Sequence, residues 1–266
     1  MVTHLASLLT GVPYSVSIHA HEVAHENGHF REVFRRLDWA AFCNRAAMEH
    51  LMVRLPESAR DRSHLVYHGV QTARFTPLPM PDEPRPFRVL SAGRLTATKG
   101  FDRLVRACAR AREKGAPVEL AVLGRGDEEA RIRQSAREVG FEPFLTLPGW
   151  VSHDEIWRWM ARSHVFALMA NVGFHDGLPN VVLEAMASAR PVVLSPLPAA
   201  HEAITPGVEG DILAHQSDEE GMADLLVGLA ADPERVRAMG LAARARVVSD
   251  HDADGQIQRL LALHAS

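Results

Sequence analysis

From Phe87 onward the chain alternates short apolar runs with longer segments of helical period, and this alternation limits the fold more than any other feature. The runs "RVLSAG", "VELAVLG", "FLTLPG", "HVFALMA" and "PVVLS" read as strands. Between them, "DRLVRACARAREKG", "EEARIRQSAREVG" and "SHDEIWRWMARS" space their apolar residues for one face of a helix. Gly115 suits the position after a helix end, and Ser152 with Glu155 three residues on makes a capping box. Repeated strand–helix units of this length predict a parallel sheet with helices on both faces. Ligands of such sheets collect outside the carboxyl ends of the strands. That rule selects the loops "SAGRLTATKG", "LGRGD", "LPGWVSHD", "NVGFHDGLPN" and "SPLPAAHEA".

Before this region lies "TPLPMPDEPRPF", where five prolines in twelve residues exclude a helix or central strand. The division expected is a first domain over residues 1–76, a proline-rich linker over 77–87, a main ligand-binding domain over 88–250, and a terminal helix over 251–266 that packs back on the first domain. Residues 1–76 are less regular. "THLASLLTG" reads as a helix, "PYSVSI" as a strand, "REVFRRLDWAAFCNRAAMEHLMVRL" as one or two helices, and "SHLVYHGV" as a further strand.

The 266 residues are 47% hydrophobic and 23% charged, the profile of an ordinary globular protein. A net charge of -4 argues against a nucleic-acid partner, although Arg and Lys outnumber Asp and Glu between Arg85 and Arg137. That local field reads either as attraction for a small anion or as solvated helix faces. Cys43 and Cys108 fit no metal spacing and are expected to be reduced thiols of a cytoplasmic protein. No apolar stretch approaches the roughly 18–20 residues that span a bilayer. The fifteen histidines are scattered. "HEVAH" matches the H-E-x-x-H zinc pattern, but it follows a strand-like run and Asn27-Gly28 interrupts any helix, so no metal site is expected.

Among the loops, Arg94 and Lys99 stand beside Gly93 and Gly100 at a strand-to-helix junction, where two cations and a helix N-terminus would suit a diphosphate. Lys99 reads equally as a solvated residue of the first turn. Gly124 in "LGRGD" permits a turn and lacks the spacing of a dinucleotide or Walker loop. "HDGLPNVVLEAM" holds Asp176 and Glu184 at either end of an apolar run, with Pro179 placed for the first helical position. A buried carboxylate needs donors. It finds them either by pairing with Arg190 or reaching solvent, or from a ligand's vicinal hydroxyls, with Asp176 and the N–H groups near Gly177 and Leu178 meeting a second sugar.

"GRLTATKGFDRLV", "LPGWVSHDEI", "GFHDGLPNVVLEAMASARPVV" and "VYHGVQTARF" together resemble the retaining glycosyltransferases of family 4. The resemblance implies an α/β protein of GT-B type, with a Rossmann-like C-terminal domain and an incomplete Rossmann-like N-terminal domain. It implies that Arg94 and Lys99 hold a donor diphosphate, Glu184 the ribose hydroxyls, Asp176 the donor sugar, and Trp150 with Val151 the base; His19 matches a histidine that reaches the sugar from the facing domain. The family's acidic pair is usually two glutamates, and Asp176 keeps the charge on a shorter arm. Glu22 and Gln71 stand where related sequences often have Asp.

A nucleotide-sugar donor, a glycan or lipid-linked acceptor, and no cofactor or metal are implied. So is a cytoplasmic location, with peripheral membrane contact left open by the weak basic patch "REVFRR". Members generally carry a fuller N-terminal domain, so this chain reads as shortened, with an uncovered apolar edge. Three functions follow: a glycosyltransferase of surface or exopolysaccharide synthesis, a non-catalytic nucleotide-sugar binder completed by a partner chain, or a nucleotide-sugar epimerase.

Overall fold

The computed structural model describes residues 2–19, 23, 30–77, 79–81, 86–171 and 177–265. Two parallel sheets organise them. The first unit runs α1 (Val2–Thr10), β1 (Tyr14–Ile18), α2 (Phe30–Val33), β2 (Leu37–Phe42), α3 (Arg45–Met52) and β3 (Ser63–Leu65), with sheet order β1-β2-β3. Its core is small and separate, built on Ile18, Phe34, Leu37, Phe42 and Leu51.

The second unit runs β4 (Phe87–Ala92), α4 (Phe101–Glu113), β5 (Val118–Leu123), α5 (Glu129–Glu138), β6 (Leu145–Gly149), α6 (His153–Ala161), β7 (Val165–Leu168), α7 (Asn180–Ala187), β8 (Val192–Leu194), α8 (Ala200–Ala203), β9 (Gly210–Ile212), α9 (Glu219–Ala231), α10 (Pro233–Asp250) and α11 (Ala253–Ala265). Its six strands, all parallel, pair in the order β6-β5-β4-β7-β8-β9. Counted within the unit this is 3-2-1-4-5-6, the doubly wound order whose reversal between β4 and β7 opens a crevice at the carboxyl ends. The strands at the middle of the sheet are the most apolar, because helices cover both faces there; all four residues of β7 and all three of β8 are buried, whereas no residue of the edge strand β6 is.

One expectation is corrected. "LDWAAF" lies inside the stretch read as helical, yet it is the central strand of the first sheet, paired with β1 and β3. A six-residue, mostly apolar run between two helical segments carries no period that separates strand from buried helix, and its two parallel neighbours decide. Phe87, placed with the linker, opens β4, its N–H donating to Pro117 at 2.9 Å.

The basic stretch also resolves. Arg106 and Arg110 on α4 pair with Glu219 on α9, at 2.8 and 3.7 Å, while Lys114 meets Glu220 and Asp224. Three of these cations therefore meet acids of a helix roughly 100 residues later in the chain.

The two units touch through the end of the chain. The N–H of Val70 donates to His251 and that of Ala253 to Val70, at 2.9 and 3.0 Å, and Gln256 accepts from the Tyr67 N–H at 3.0 Å. Near the end of α11, His264 meets the Trp39 ring edge-on at 4.7 Å. On α1, Leu5, Leu8 and Leu9 are exposed. Among the described residues, no helix is long and apolar enough to cross a membrane.

Candidate functional site

The residue that follows each of β4, β5 and β6 faces one cavity of about 520 Å³. These are Gly93, Gly124 and Trp150, and Arg94, Arg125, Val151, Ile156, Val181 and Glu184 are among the other lining residues. Backbone contacts fix this rim: Gly93 donates to Leu123 at 2.9 Å, Leu95 to Arg125 at 3.0 Å and Gly124 to Gly149 at 2.8 Å. Gly124 has φ +138, and a Cβ there would stand 1.9 Å from the Gly93 carbonyl oxygen. Glycine is required because two strand ends converge beneath the cavity floor. Lys99 sits at the end of a short 3₁₀ turn, Ala97–Lys99, and its aliphatic stem passes over Gly93, with Cε 3.9 Å from where a Cβ would lie.

Glu184 projects from α7, whose last six residues are all buried. It is 9% exposed, and its carboxylate lies 3.9 Å from His153 Nδ1 on α6. Burial pushes its pKa up, and the nearby His153 offsets part of that rise. Pairing with Arg190 is not the arrangement found. The Arg190 guanidinium is fully buried and donates to the Met160 and Pro79 carbonyls at 2.8 and 2.9 Å, tying the linker to α6. Pro179 caps α7 with extended ψ 134 and so stands one position before the first helical residue.

A second pocket, of about 290 Å³, lies between the units on the other side of the α7 N-terminus. His19, Asn44, His68, Gly177, Leu178, Asn180, Leu183 and Glu202 line it. Because Leu183 faces this pocket and Glu184 the first cavity, α7 borders both. Asp176 lies outside the described residues, as do His21, Glu22 and His25 of "HEVAH". Of the residues named from sequence, the large cavity gathers Gly93, Arg94, Gly124, Trp150, Val151 and Glu184; the inter-unit pocket gathers His19, Gly177 and Leu178.

Arg125 and His153 were not singled out in the sequence. Arg125 stood in view in "LGRGD", next to the glycine that was chosen. His153 had no signal, because only the packing of α6 on α7 brings it to Glu184. The assembled cavity brings Arg94 and Arg125 together with the desolvated Glu184 carboxylate, which suits a ligand carrying both an anion and hydroxyl donors.

Residues 86–232 match the family Glycosyl transferases group 1. The chain belongs to that family. Amylovoran biosynthesis glycosyltransferase AmsK of Erwinia amylovora is 32% identical over 183 residues, 66% of this chain and 45% of that protein. Putative colanic acid biosynthesis glycosyltransferase WcaL of Escherichia coli K12 is 29% identical over 196 residues, 71% of this chain and 47% of that one. The chain thus spans about half the length of the curated relatives it matches. Among solved structures, Anabaena Alr3699/HepE in complex with UDP and glucose superposes with a TM-score of 0.83 at 18% identity, covering 100% of this chain and 74% of that one. This family member therefore has the α/β GT-B architecture expected from its sequence, and the expected family is the one found.

Proposed function

We propose that the protein transfers a sugar from a nucleoside-diphosphate donor to a glycan or lipid-linked acceptor of surface or exopolysaccharide synthesis, with retention of anomeric configuration. The observation that carries this reading is the Glu184 carboxylate, buried in an apolar helix yet opening on a cavity walled by Gly93 and Arg94. In this reading the ribose hydroxyls donate to Glu184, and Trp150 with Val151 flanks the base. Arg94 and Lys99 hold the diphosphate, while His19, Asp176 and the N–H groups of Gly177 and Leu178 face the sugar. The bond from the anomeric carbon to the diphosphate breaks through an oxocarbenium-like state, and the acceptor oxygen bonds on the same face. The leaving phosphate takes the acceptor proton. Fixed cations and the N-terminus of α4, which begins just after Lys99, stabilise charge growing on the diphosphate, the larger part of such catalysis. The relatives from amylovoran and colanic acid biosynthesis and the neighbour holding UDP and glucose support this class of donor and product. Neither a cofactor nor a metal enters the reaction as written.

Calorimetric titration with UDP, GDP and dTDP tests it. One nucleotide should bind the wild type, and Glu184→Ala should weaken it roughly 10- to 100-fold, the worth of charged hydrogen bonds. Turnover with the sugars of that nucleotide then follows the transfer itself. A folded wild type that binds none, or a variant that binds as well as wild type, would sink the reading.

A further inference from the structure

Each of the three parallel strands of the first unit delivers one metal-ligating side chain to the same place. His19 directly follows β1, Cys43 directly follows β2, and His68 lies shortly after β3. Parallel strands share one carboxyl edge, so residues far apart in sequence converge there. His19 Nδ1 and His68 Nε2 are 2.9 Å apart with ring centroids at 4.9 Å. Adding Cys43 Sγ gives three ligand atoms that all lie within 4.8 Å of one another.

A tetrahedral zinc ion, with bonds of about 2.0–2.1 Å to nitrogen and about 2.3 Å to sulfur, spaces its ligand atoms roughly 3.3–3.7 Å apart. Side-chain movements of about 1 Å would therefore bring all three atoms to one ion. The surroundings suit that chemistry. Asn44 Nδ2 donates to Cys43 Sγ at 3.3 Å, and Asn180 bonds the His68 ring, the kind of outer contact that orients ligands. Glu202 lines the same pocket, but its two oxygens accept from the Arg45 and Ala46 N–H groups at 2.7 and 3.0 Å. Water is left as the fourth ligand.

We propose that His19, Cys43 and His68 form a binding site for a zinc-type ion, with its fourth position open to the pocket between the units. The site shares no residue with "HEVAH", but it shares His19 and the inter-unit pocket with the sugar contacts proposed above; metal binding is read directly, without nucleotide or turnover, so its failure and the failure of that reading are distinguishable.

The full chain is titrated with Co²⁺ as an optical probe, then with Zn²⁺ in competition with a chromogenic chelator. Thiolate-to-cobalt charge transfer in the near ultraviolet, with tetrahedral bands in the visible, is expected at one equivalent in the wild type and in Cys108→Ala. Cys43→Ala should lose the charge-transfer band, and Cys43→Ala and His68→Gln should each bind Zn²⁺ at least about tenfold more weakly. Circular dichroism reports whether each variant folds, and Cys43→Ser replaces Cys43→Ala if the latter does not. A wild-type Co²⁺ spectrum like that of the aqueous ion, or a thiolate band that persists in the folded Cys43 variant, overturns the site.

Discussion

Glu184 shows how a single residue can weaken a fold while equipping a site. Its carboxylate is 9% exposed and its pKa is raised by burial, so the folded protein holds the proton more tightly than the unfolded chain does. The stability linked to that proton is present below the unfolded pKa and lost as pH rises through the raised folded value. Glu184→Gln should therefore raise the melting temperature at neutral pH, by about 2 °C for a domain of this size, with the gain vanishing below roughly pH 4. The same variant should bind nucleotide poorly. Calorimetric melts across pH check this, and an unchanged or lowered melting temperature at pH 7 would contradict it. Gly124 has the opposite character, since its role is purely spatial. Gly124→Ala sets a methyl 1.9 Å from the Gly93 carbonyl at a positive φ, which should cost about 3 kcal/mol or more in urea unfolding. A cost near zero would mean that the two strand ends are not in contact as described.

At the scale of elements, α3 is capped from both units. Asn44 Oδ1 accepts from the Ala47 N–H at 2.7 Å, and Glu202, on α8 of the second unit, accepts from the Arg45 and Ala46 N–H groups. The first turn of α3 is thereby satisfied partly by its own sequence and partly across the interface. Asn44→Ala should destabilise by about 1–2 kcal/mol, because the residue is 4% exposed and water replaces the lost acceptor poorly. Chemical denaturation measures it; a loss below the error of that method would remove Asn44 as the cap. The Asn44 cap is a local signal that the helical reading of this stretch passed over, whereas Glu202 carried no signal at all, because nothing in "SPLPAAHEA" names the helix it serves. The capping acid of α6, by contrast, was readable: Glu155 accepts from the Ser152 N–H at 2.8 Å, a contact made within four residues.

For the whole molecule, the joint between the units carries a pH dependence. His251 sits between α10 and α11, 2% exposed and against the Tyr67 ring at 4.7 Å, and burial pushes its pKa down to about 4. A depressed pKa means the neutral ring is the one accommodated on folding. Its contribution is fully present above the unfolded value of about 6.5 and is lost as pH falls toward 4, amounting to roughly 3 kcal/mol. Acidification from pH 7 to 4 should therefore loosen the joint, and His251→Gln should flatten the fall in stability over that window. Equal pH profiles for wild type and variant would show that other groups govern acid unfolding.

The sequence by itself determined most of the second unit. From β4 to β8 its strands and helices are declared by local apolar patterns and bounded by Gly, Pro or cap residues, whereas β9 and the helices α8 to α10 carry too weak a period to be read that way. It also named most of the cavity, because loops at the carboxyl ends of parallel strands are marked by glycine and isolated charge. Only the tertiary structure decided that "LDWAAF" is a strand, since pairing on both sides rather than any period holds it. Only packing brought His153 to Glu184, Glu202 to α3, and His19, Cys43 and His68 to one point. These contacts join residues tens to hundreds of positions apart, and a local pattern records which face of an element is buried, not what it is buried against.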